Sequence, residues 1–567
     1  MKIQVISNGH DKQELLLKRC IDERIPSIYE ENGMQITLDI RNEFGVPEGY
    51  LIERENNGWK ITGSDDLGLF YGIGKFLHTA KWTEEAFVPN PPTEFSSPDC
   101  SFRVIYPANH FNNWYQEAPA DELQRYMEDL LLWGYNAVIT ILPVLHFGGK
   151  DDPGFQSTLA ASKAMLQAAK NCNMKVGIIC NPNQGTTTAP SEYDAVKPYD
   201  PMGFRGNLGR NICASNPEAV EYLRSVWNTL FEAFTDIGLD YVATWPYDEG
   251  GCGCEECRPW GAKGYPNLMI EMNKEAKKYY PNCKIVASTW YFDEPEEGEF
   301  KGFYERLKTD LDFVDYVMAD SFDSFPEYPL EHEPVKPIVS FPEISMWKLY
   351  PWGGRGANPQ PKRFQRIWNS AKHVLQGGMP YSEGIFEDIL KVQFAGYFWD
   401  KNRHYREILA EYINYEYSSD VCAEVLEMME LIEINHVTVG GCMLRSPAVE
   451  VAERASKLAD EVDSKLSERA KKAWRWRILY IRTKIDEILY KYFVEHFGSD
   501  DKAAIYELHK TPKGFLEHSD EAQKLLRELI EIYHCISCPA EYRRVYPPIK
   551  ERTIIRTIGG KKVPVNE

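Results

Sequence analysis

The sequence predicts an α/β protein: a (β/α)₈ barrel preceded by a small α/β unit and followed by a helical region. Three observations carry this expectation. Between about residues 100 and 400, eight short apolar runs alternate with helical patterns, the rhythm of a parallel barrel whose strands are buried on both faces. Ahead of them, short runs alternate apolar and polar residues as half-buried strands do. Beyond residue 400, apolar residues recur near every 3.6 positions and glycine is scarce. A chain of 567 residues is too long for one compact core. The expected division is 1–98 for the α/β unit, 99–400 for the barrel and 401–567 for the mainly helical region.

In the first unit, KIQVIS (2–7) reads as a strand and DKQELLLKRCIDERI (11–25) as a helix. MQITLDI (34–40), GYLIER (49–54) and GWKITGS (58–64) alternate as strands. Ser64 is expected to cap the next helix, whose first turn carries Asp65 and Asp66 where the helix dipole favours negative charge. The Pro- and Ser-rich stretch 88–99 reads as the linker. The barrel strands are expected at 102–108, 137–144, 175–182, 241–247, 284–290, 314–320, 336–342 and, weakened by its glycines, 377–383. ADELQRYMEDLLLWG (120–134) and NPEAVEYLRSVWNTLFEAF (216–234) exemplify the intervening helices. Long helical runs follow to about residue 540, and Gly559-Gly560 reads as a turn between two strand-like pieces of the tail.

The net charge of -21 argues against nucleic acid or an anionic membrane as partner, since both need clustered Lys and Arg. No apolar run reaches membrane-spanning length. The N-terminus lacks a basic start followed by an apolar stretch, so a cytoplasmic location is expected unless a leader has been removed, in which case secretion or the periplasm takes its place. Oligomeric state stays open, with a homodimer among the options. Aromatic residues make up 13% of the chain, with 14 Trp and 33 Tyr. Such side chains line sugar clefts, because their faces stack on C–H surfaces.

Barrel enzymes keep their chemistry at the C-terminal ends of the strands. Polar and aromatic residues gather at those positions here: His110, Asn113 and Trp114 after strand one, His146 after strand two, and Asn181 after strand three. Tyr247, Asp248 and Glu249 follow strand four; Trp290 and Tyr291 follow strand five; Asp320 ends strand six. Glu343 and Trp347 follow strand seven, and Tyr381, Glu383 and Glu387 strand eight. Unpartnered buried carboxylates are costly, so this set implies a pocket of acids, amides and aromatics suited to a small or oligomeric polyhydroxylated substrate. Asp248 and Glu249 are adjacent, and neighbouring acids push their pKa values apart, keeping one protonated near neutrality. Glycoside hydrolysis needs one acid to protonate the leaving oxygen and a second group to act at the anomeric carbon.

The helix DLGLFYGIGK (Asp66–Lys75), followed by a barrel, resembles the hexosaminidase-like glycoside hydrolases of families 20, 84 and 67, and the adjacent acids after strand four resemble the pair of family 20, Asp-Glu, and of family 84, Asp-Asp. The resemblance implies a β-N-acetylhexosaminidase-type glycosidase without cofactor. Asp248 would orient the substrate's acetamido group, itself the nucleophile, and Glu249 would be the general acid/base. The other residues named above would bind substrate. Gly250 and Gly251 follow the pair here, whereas in family 20 glycines precede it. The Cys252-x-Cys254-x-x-Cys257 run and the helical C-terminal region are more similar to family 163. Two other functions compete: a glycosidase of the α-glucuronidase type or another using two protein carboxylates, and a non-catalytic carbohydrate-binding protein. An α-glucuronidase would use a basic pocket, for which Arg103, Arg205, Arg210 and Arg355 are the candidates.

The chain has 13 cysteines, an odd number that argues against a full disulfide framework. Cys252, Cys254 and Cys257 have ligand-like spacing, but structural zinc takes four ligands, and Cys535-x-x-Cys538 is distant in sequence. A redox C-x-x-C would need a thioredoxin-like setting. Packed free thiols and no metal are therefore expected.

Overall fold

The computed structural model describes residues 2–564 apart from 27, 84–85, 110–112, 198–209, 247–249, 323, 346–348, 351–356, 436, 439–447, 498–518, 534–554 and 559–560. Eight parallel strands form the barrel: Phe102–Pro107, Ala137–Ile141, Lys175–Cys180, Tyr241–Thr244, Lys284–Ser288, Val314–Ser321, Ile338–Pro342 and Leu375–Gly378. Each pairs with the next, and strand eight closes onto strand one. A helix follows every strand, from Ala120–Trp133 after the first to Asp388–Trp399 after the eighth. Alternation along strand one turns Phe102 and Tyr106 to the same face. Phe102 packs in the barrel against Tyr241 and Tyr316, ring centroids 5.6 and 4.8 Å apart.

The eighth strand departs from expectation. The strand begins at Leu375 against strand seven, two residues earlier than the sequence pattern places it, while the pairing with strand one that closes the barrel begins at Gly377. The chain then breaks at Met379-Pro380, where proline has no N–H to give a ladder. It resumes as Tyr381–Ser382, which pairs with Tyr106 and Pro107 farther along strand one.

In the N-terminal unit, Ile3–Ile6, Met34–Ile40, Tyr50–Glu55 and Gly58–Gly63 form a four-stranded sheet with the last two in reversed order. Helix Asp66–His78 is capped by Asp65 and not by Ser64. One Asp65 oxygen accepts the Gly68 N–H at 2.8 Å, and the other accepts the Glu48 N–H at 2.8 Å. A carboxylate with two oxygens can hold both the helix start and the preceding loop, which a serine hydroxyl cannot. The Pro-rich linker is also tied down: Ser96 exchanges both backbone hydrogen bonds with Tyr50. Arg103, fully buried near the start of strand one, donates to the Gly134 carbonyl at 2.6 Å and pairs with Glu48 at 2.5 Å. It therefore joins the barrel's N-terminal end to the first unit and is not available to bind a uronic acid at the mouth.

The described part of the C-terminal region is mainly helical, with Tyr405–Glu416, Cys422–Ile434, Val449–Lys465, Trp474–Phe497 and Asp520–Tyr533. The tail forms an antiparallel pair, Ile555–Ile558 with Lys561–Pro564; the Gly-Gly turn expected between them lies outside the described residues. No described helix is long and apolar enough to cross a membrane.

Barrel closure gives a test. At Gly377 φ is +123°, and a Cβ there would stand 1.8 Å from the Phe102 carbonyl oxygen of strand one. Gly9 has a similarly positive φ of +92° but open space around it. Gly377→Ala is expected to cost more than ~3 kcal/mol, backbone strain plus clash, against about 1 kcal/mol for Gly9→Ala. Thermal melting of both variants checks this, and equal midpoints would contradict the seam's role.

Candidate active site

The last residues of the strands build a floor of rings at the C-terminal mouth. Trp245, just past strand four, lies 4.7 Å from Phe341 and 5.4 Å from Trp290 between ring centroids. Phe341 lies 5.9 Å from Tyr381, which lies 5.1 Å from Tyr106. The short return strand Tyr381–Ser382 puts Tyr381 beside Glu343 as well as Tyr106. A dry aromatic surface strengthens interactions between charges beside it and disfavours an unpaired one, because water is kept away.

Carboxylates gather beside this floor. Glu343 is buried, and its Oε1 accepts the Ser345 N–H at 3.0 Å and the Ser345 hydroxyl. Burial, and then the charge of Glu383, push its pKa well above the usual carboxylate range. Half-buried Glu383 accepts the Tyr381 hydroxyl at 2.7 Å. Glu387 is buried; its Oε2 accepts the Ser382 hydroxyl at 2.9 Å, while Oε1 has no hydrogen-bond partner among the described residues. Desolvation raises Glu387 to about 8, partly offset by Lys391. Asp320, at the end of strand six and paired in register with Phe341, is raised to about 7 by desolvation. The mouth thus holds carboxyl groups that keep a proton near neutrality.

Beneath them runs a buried polar chain that the sequence reading missed. Lys391 donates to the Tyr115 and Tyr126 hydroxyls, both at 2.7 Å, and to the Gly384 carbonyl at 2.6 Å. Burial lowers Lys391 to about 8. Tyr126 donates to Asp388 at 3.0 Å, and Arg475 of the C-terminal region donates to the same carboxylate at 2.7 Å. Burial opposes the charge on Asp388, but Arg475 outweighs it and keeps its pKa below the usual range. A single lysine within DILKVQFAGYFW was the available signal, since an apolar helix does not bury a lone cation without partners.

The structure brings together Trp290, Asp320, Glu343, Tyr381, Glu383 and Glu387 of the residues expected to bind substrate, through the floor and the carboxylate group. Half-buried Tyr291 packs edge-on against Trp290 and holds a left-handed φ of +56°. Two of the residues expected to bind substrate have structural partners. Asn113 is a helix cap: its oxygen accepts the Tyr115 N–H at 3.0 Å and its amide donates to Ala108 at 2.8 Å. Trp114 is packing, its ring against Tyr115 and Tyr126. His146 ends a short 3₁₀ turn and is half-buried beside Phe147. Asn181 is buried, and its oxygen has no partner among the described residues. His110, Tyr247, Asp248, Glu249 and Trp347 lie outside the described residues, as do Arg205 and Arg355. The flanks of the acid pair are anchored: the Pro246 carbonyl accepts from Trp260 at 2.7 Å, and the Gly250 carbonyl from Asn183 at 2.9 Å. Arg210 is held by Asp194 in a forked pair at 2.8 Å. Cys252, Cys254 and Cys257 are joined by a fourth cysteine, Cys213, from the loop after strand three.

No protein family matches the sequence, and no curated protein does. Solved structures match the fold. A family 138 glycoside hydrolase targeting pectin rhamnogalacturonan II aligns with TM-score 0.60 at 13% identity, over 94% of this chain and 74% of that one. A family 115 4-O-methyl-α-glucuronidase with specificity for decorated arabinogalactans gives TM-score 0.57 at 12% identity, over 93% and 78%. A family 89 enzyme from Clostridium perfringens, in complex with its substrate GlcNAc-α-1,4-galactose, gives 0.62 at 10% identity, over 92% of this chain and 65% of that one. The fold is that of a glycoside-hydrolase barrel with flanking domains.

The raised Glu387 has a pH signature. Its folded pKa of about 8 exceeds its ordinary value of 4.5. Between those values the folded chain holds a proton that the unfolded chain has released, so this group's stabilisation, complete below about 4.5, is lost as pH rises toward 8. Glu387→Gln removes the ionisation and is expected to flatten the fall in melting temperature between about pH 5 and 8. A decline as steep as in the parent protein would show that Glu387 ionises normally.

Proposed function

We propose that the chain is a glycoside hydrolase acting at the C-terminal mouth of the barrel on a 2-acetamido sugar. The observation that carries this is the group Glu343, Glu383 and Glu387 beside a floor of five aromatic rings, where burial raises the pKa of Glu343 and brings that of Glu387 to about 8. The floor offers a stacking face for a sugar ring, and the acids offer proton donors and acceptors at its edge. The fold is shared with glycosidases of families 138, 115 and 89, and the family 89 structure holds a GlcNAc-containing substrate. These likenesses support a glycosidase in general.

The finer reading uses the pair after strand four. Glu249 protonates the glycosidic oxygen, and Asp248 holds the amide nitrogen of the acetamido group, whose oxygen attacks the anomeric carbon. Water then opens the cyclised intermediate with Glu249 acting as base. A second reading is favoured by the placement of Glu343 and Glu383 on neighbouring strand ends: Glu383, accepting from Tyr381, attacks the anomeric carbon while Glu343 gives its proton to the leaving glycosidic oxygen, water activated by Glu343 then cleaves the glycosyl ester, and no acetamido group is needed. Arg103 and Arg210, two of the candidates for a uronate site, are engaged in structural pairs, which weighs against the glucuronidase reading.

Rates on activated and unactivated substrates separate these routes. Glu249→Gln is expected to slow natural 2-acetamido glycosides roughly 10²–10⁴-fold while sparing dinitrophenyl glycosides, whose leaving group needs no proton. Asp248→Asn is expected to slow both alike. A hexosamine-derived thiazoline is expected to inhibit strongly, because it mimics the cyclised intermediate. If Glu249→Gln loses nothing, the thiazoline does not bind and Glu383→Gln abolishes turnover of both substrates, the protein-nucleophile route replaces this one. No turnover of any nitrophenyl glycoside by the parent protein would sink the glycosidase reading.

A further inference from the structure

The loop after barrel strand four meets the loop after strand three at four sulfurs. Cys252, Cys254 and Cys257 come from the first loop and Cys213 from the second, and all four Sγ atoms lie within 4.8 Å of one another. Cys252 and Cys257 are buried, whereas Cys213 and Cys254 are half-buried. The Cys213 sulfur lies 3.6 Å from that of Cys252 and 3.9 Å from that of Cys254. A disulfide needs about 2.05 Å, so neither pair is bonded. Four thiolates around one zinc ion at about 2.3 Å stand ~3.8 Å apart along each tetrahedral edge. The two measured separations bracket that edge.

The surroundings suit charged sulfurs. The Ser215 hydroxyl lies 3.1 Å from the Cys213 sulfur and 3.4 Å from that of Cys254. The backbone N–H of Ser215 points at the Cys213 sulfur, and that of Cys254 at the Cys252 sulfur. The Cys254–Cys257 turn is closed by the Cys257 N–H on the Cys254 carbonyl at 3.1 Å, which brings both side chains to one side. Hydrogen-bond donors around the ligands are what a bound thiolate uses to spread its charge. Sequence spacing hid the fourth ligand, because Cys213 precedes Cys252 by 39 residues.

We propose that Cys213, Cys252, Cys254 and Cys257 bind one zinc ion in a closed, structural site. Soft thiolate ligands in a tetrahedron select zinc or a single iron, and zinc stands above ferrous iron in affinity. The compact group of sulfurs leaves no room for a cluster of several irons. All four positions are filled by protein, so the ion activates no water. Its task is mechanical: it joins the loops after strands three and four next to Gly250, alongside the Asn183 hydrogen bond and the bond from the Gly253 N–H to the Val196 carbonyl at 2.8 Å. Asp248 and Glu249 immediately precede Gly250 in the chain. The consequence for catalysis rests on the proposed function; the metal site does not.

The test is the metal content of the full chain, purified without added metal or chelator. About one zinc per chain is expected. Refilling the stripped protein with Co²⁺ should give the thiolate-to-cobalt charge-transfer band and the visible bands of tetrahedral cobalt. Cys213→Ser should lose the zinc and lower the melting temperature by more than about 3 °C, and Cys254→Ser, at a half-buried position, should do the same if the first variant fails to fold. A chain with less than about a tenth of an equivalent of metal, four freely reacting thiols or disulfides, or a folded Cys213→Ser that keeps a full equivalent of zinc would each overturn the proposal, and one equivalent of iron would overturn the choice of zinc. Under the proposed function, stripping zinc should lower turnover of nitrophenyl glycosides at least about 10-fold. A protein that holds zinc yet cleaves no glycoside would sink only the functional reading.

Discussion

Every feature of the mouth depends on one seam, where strand eight lies against strand one with no room for a side chain between them. Gly377 occupies a backbone conformation that L-residues avoid, and a Cβ there would overlap the Phe102 carbonyl. Gly378 is similarly tight, its missing Cβ replaced by the Ser340 hydroxyl of strand seven. Because the barrel is a closed ring, this pairing sets the diameter for all eight strands. It also sets the exit of the chain. After the break at Pro380 the return strand has only the upper part of strand one to pair with. That choice carries Tyr381 and Glu383 to the side of Glu343, so a steric requirement at the seam becomes the arrangement of acids at the rim.

The acids in turn rest on buried charge. Lys391 and Asp388 sit three residues apart on the helix after strand eight, one with partners among the tyrosines of the first barrel helices and the other with Arg475. Asp388 also accepts the Tyr412 hydroxyl at 2.8 Å, and Arg475 reaches Asp129 at 2.9 Å. Such groups are expensive to bury singly and are tolerated together because they serve as one another's partners. The network places positive charge under Glu387 and moderates the desolvation that would otherwise raise its pKa further. The helical region past residue 400 is thus electrically part of the barrel.

The periodic features were legible in the sequence. Eight apolar runs alternating with helical patterns gave the barrel, and the strand ends located the rim. What stayed hidden depended on contacts between distant segments. Ser64 and Asp65 are equally acceptable caps by type; only the approach of Glu48 makes the two-oxygen side chain the better one. Asn113 carries the residue type of a sugar-binding amide, and nothing local reveals that Ala108 and Tyr115 use its side chain. Cys213 has an ordinary neighbourhood, and its relation to Cys252 exists only once two loops meet. Lys391 was the exception, a charged residue in an apolar helix that could have been flagged from composition alone. Trp245, Phe341 and Tyr106 were passed over because they read as strand core, which they are, while also forming the floor.

The ion pair between Asp388 and Arg475 also has a meaning in time. The last barrel helix ends at Trp399, about 75 residues before its counter-ion is made. At translation rates of about 5–20 residues per second, several seconds pass in which the barrel sequence is complete but Asp388 has no guanidinium to meet. Seating the Asp388–Trp399 helix in that interval would bury the Asp388 carboxylate with Tyr126 and the charge of Lys391 to support it, but without its closest counter-ion. The last barrel helix is therefore held less firmly until the far region emerges. Order of synthesis thus makes the C-terminal helices the step that completes the barrel, and a chain cut short between residues 400 and 475 would leave the ribosome with its final helix unsecured.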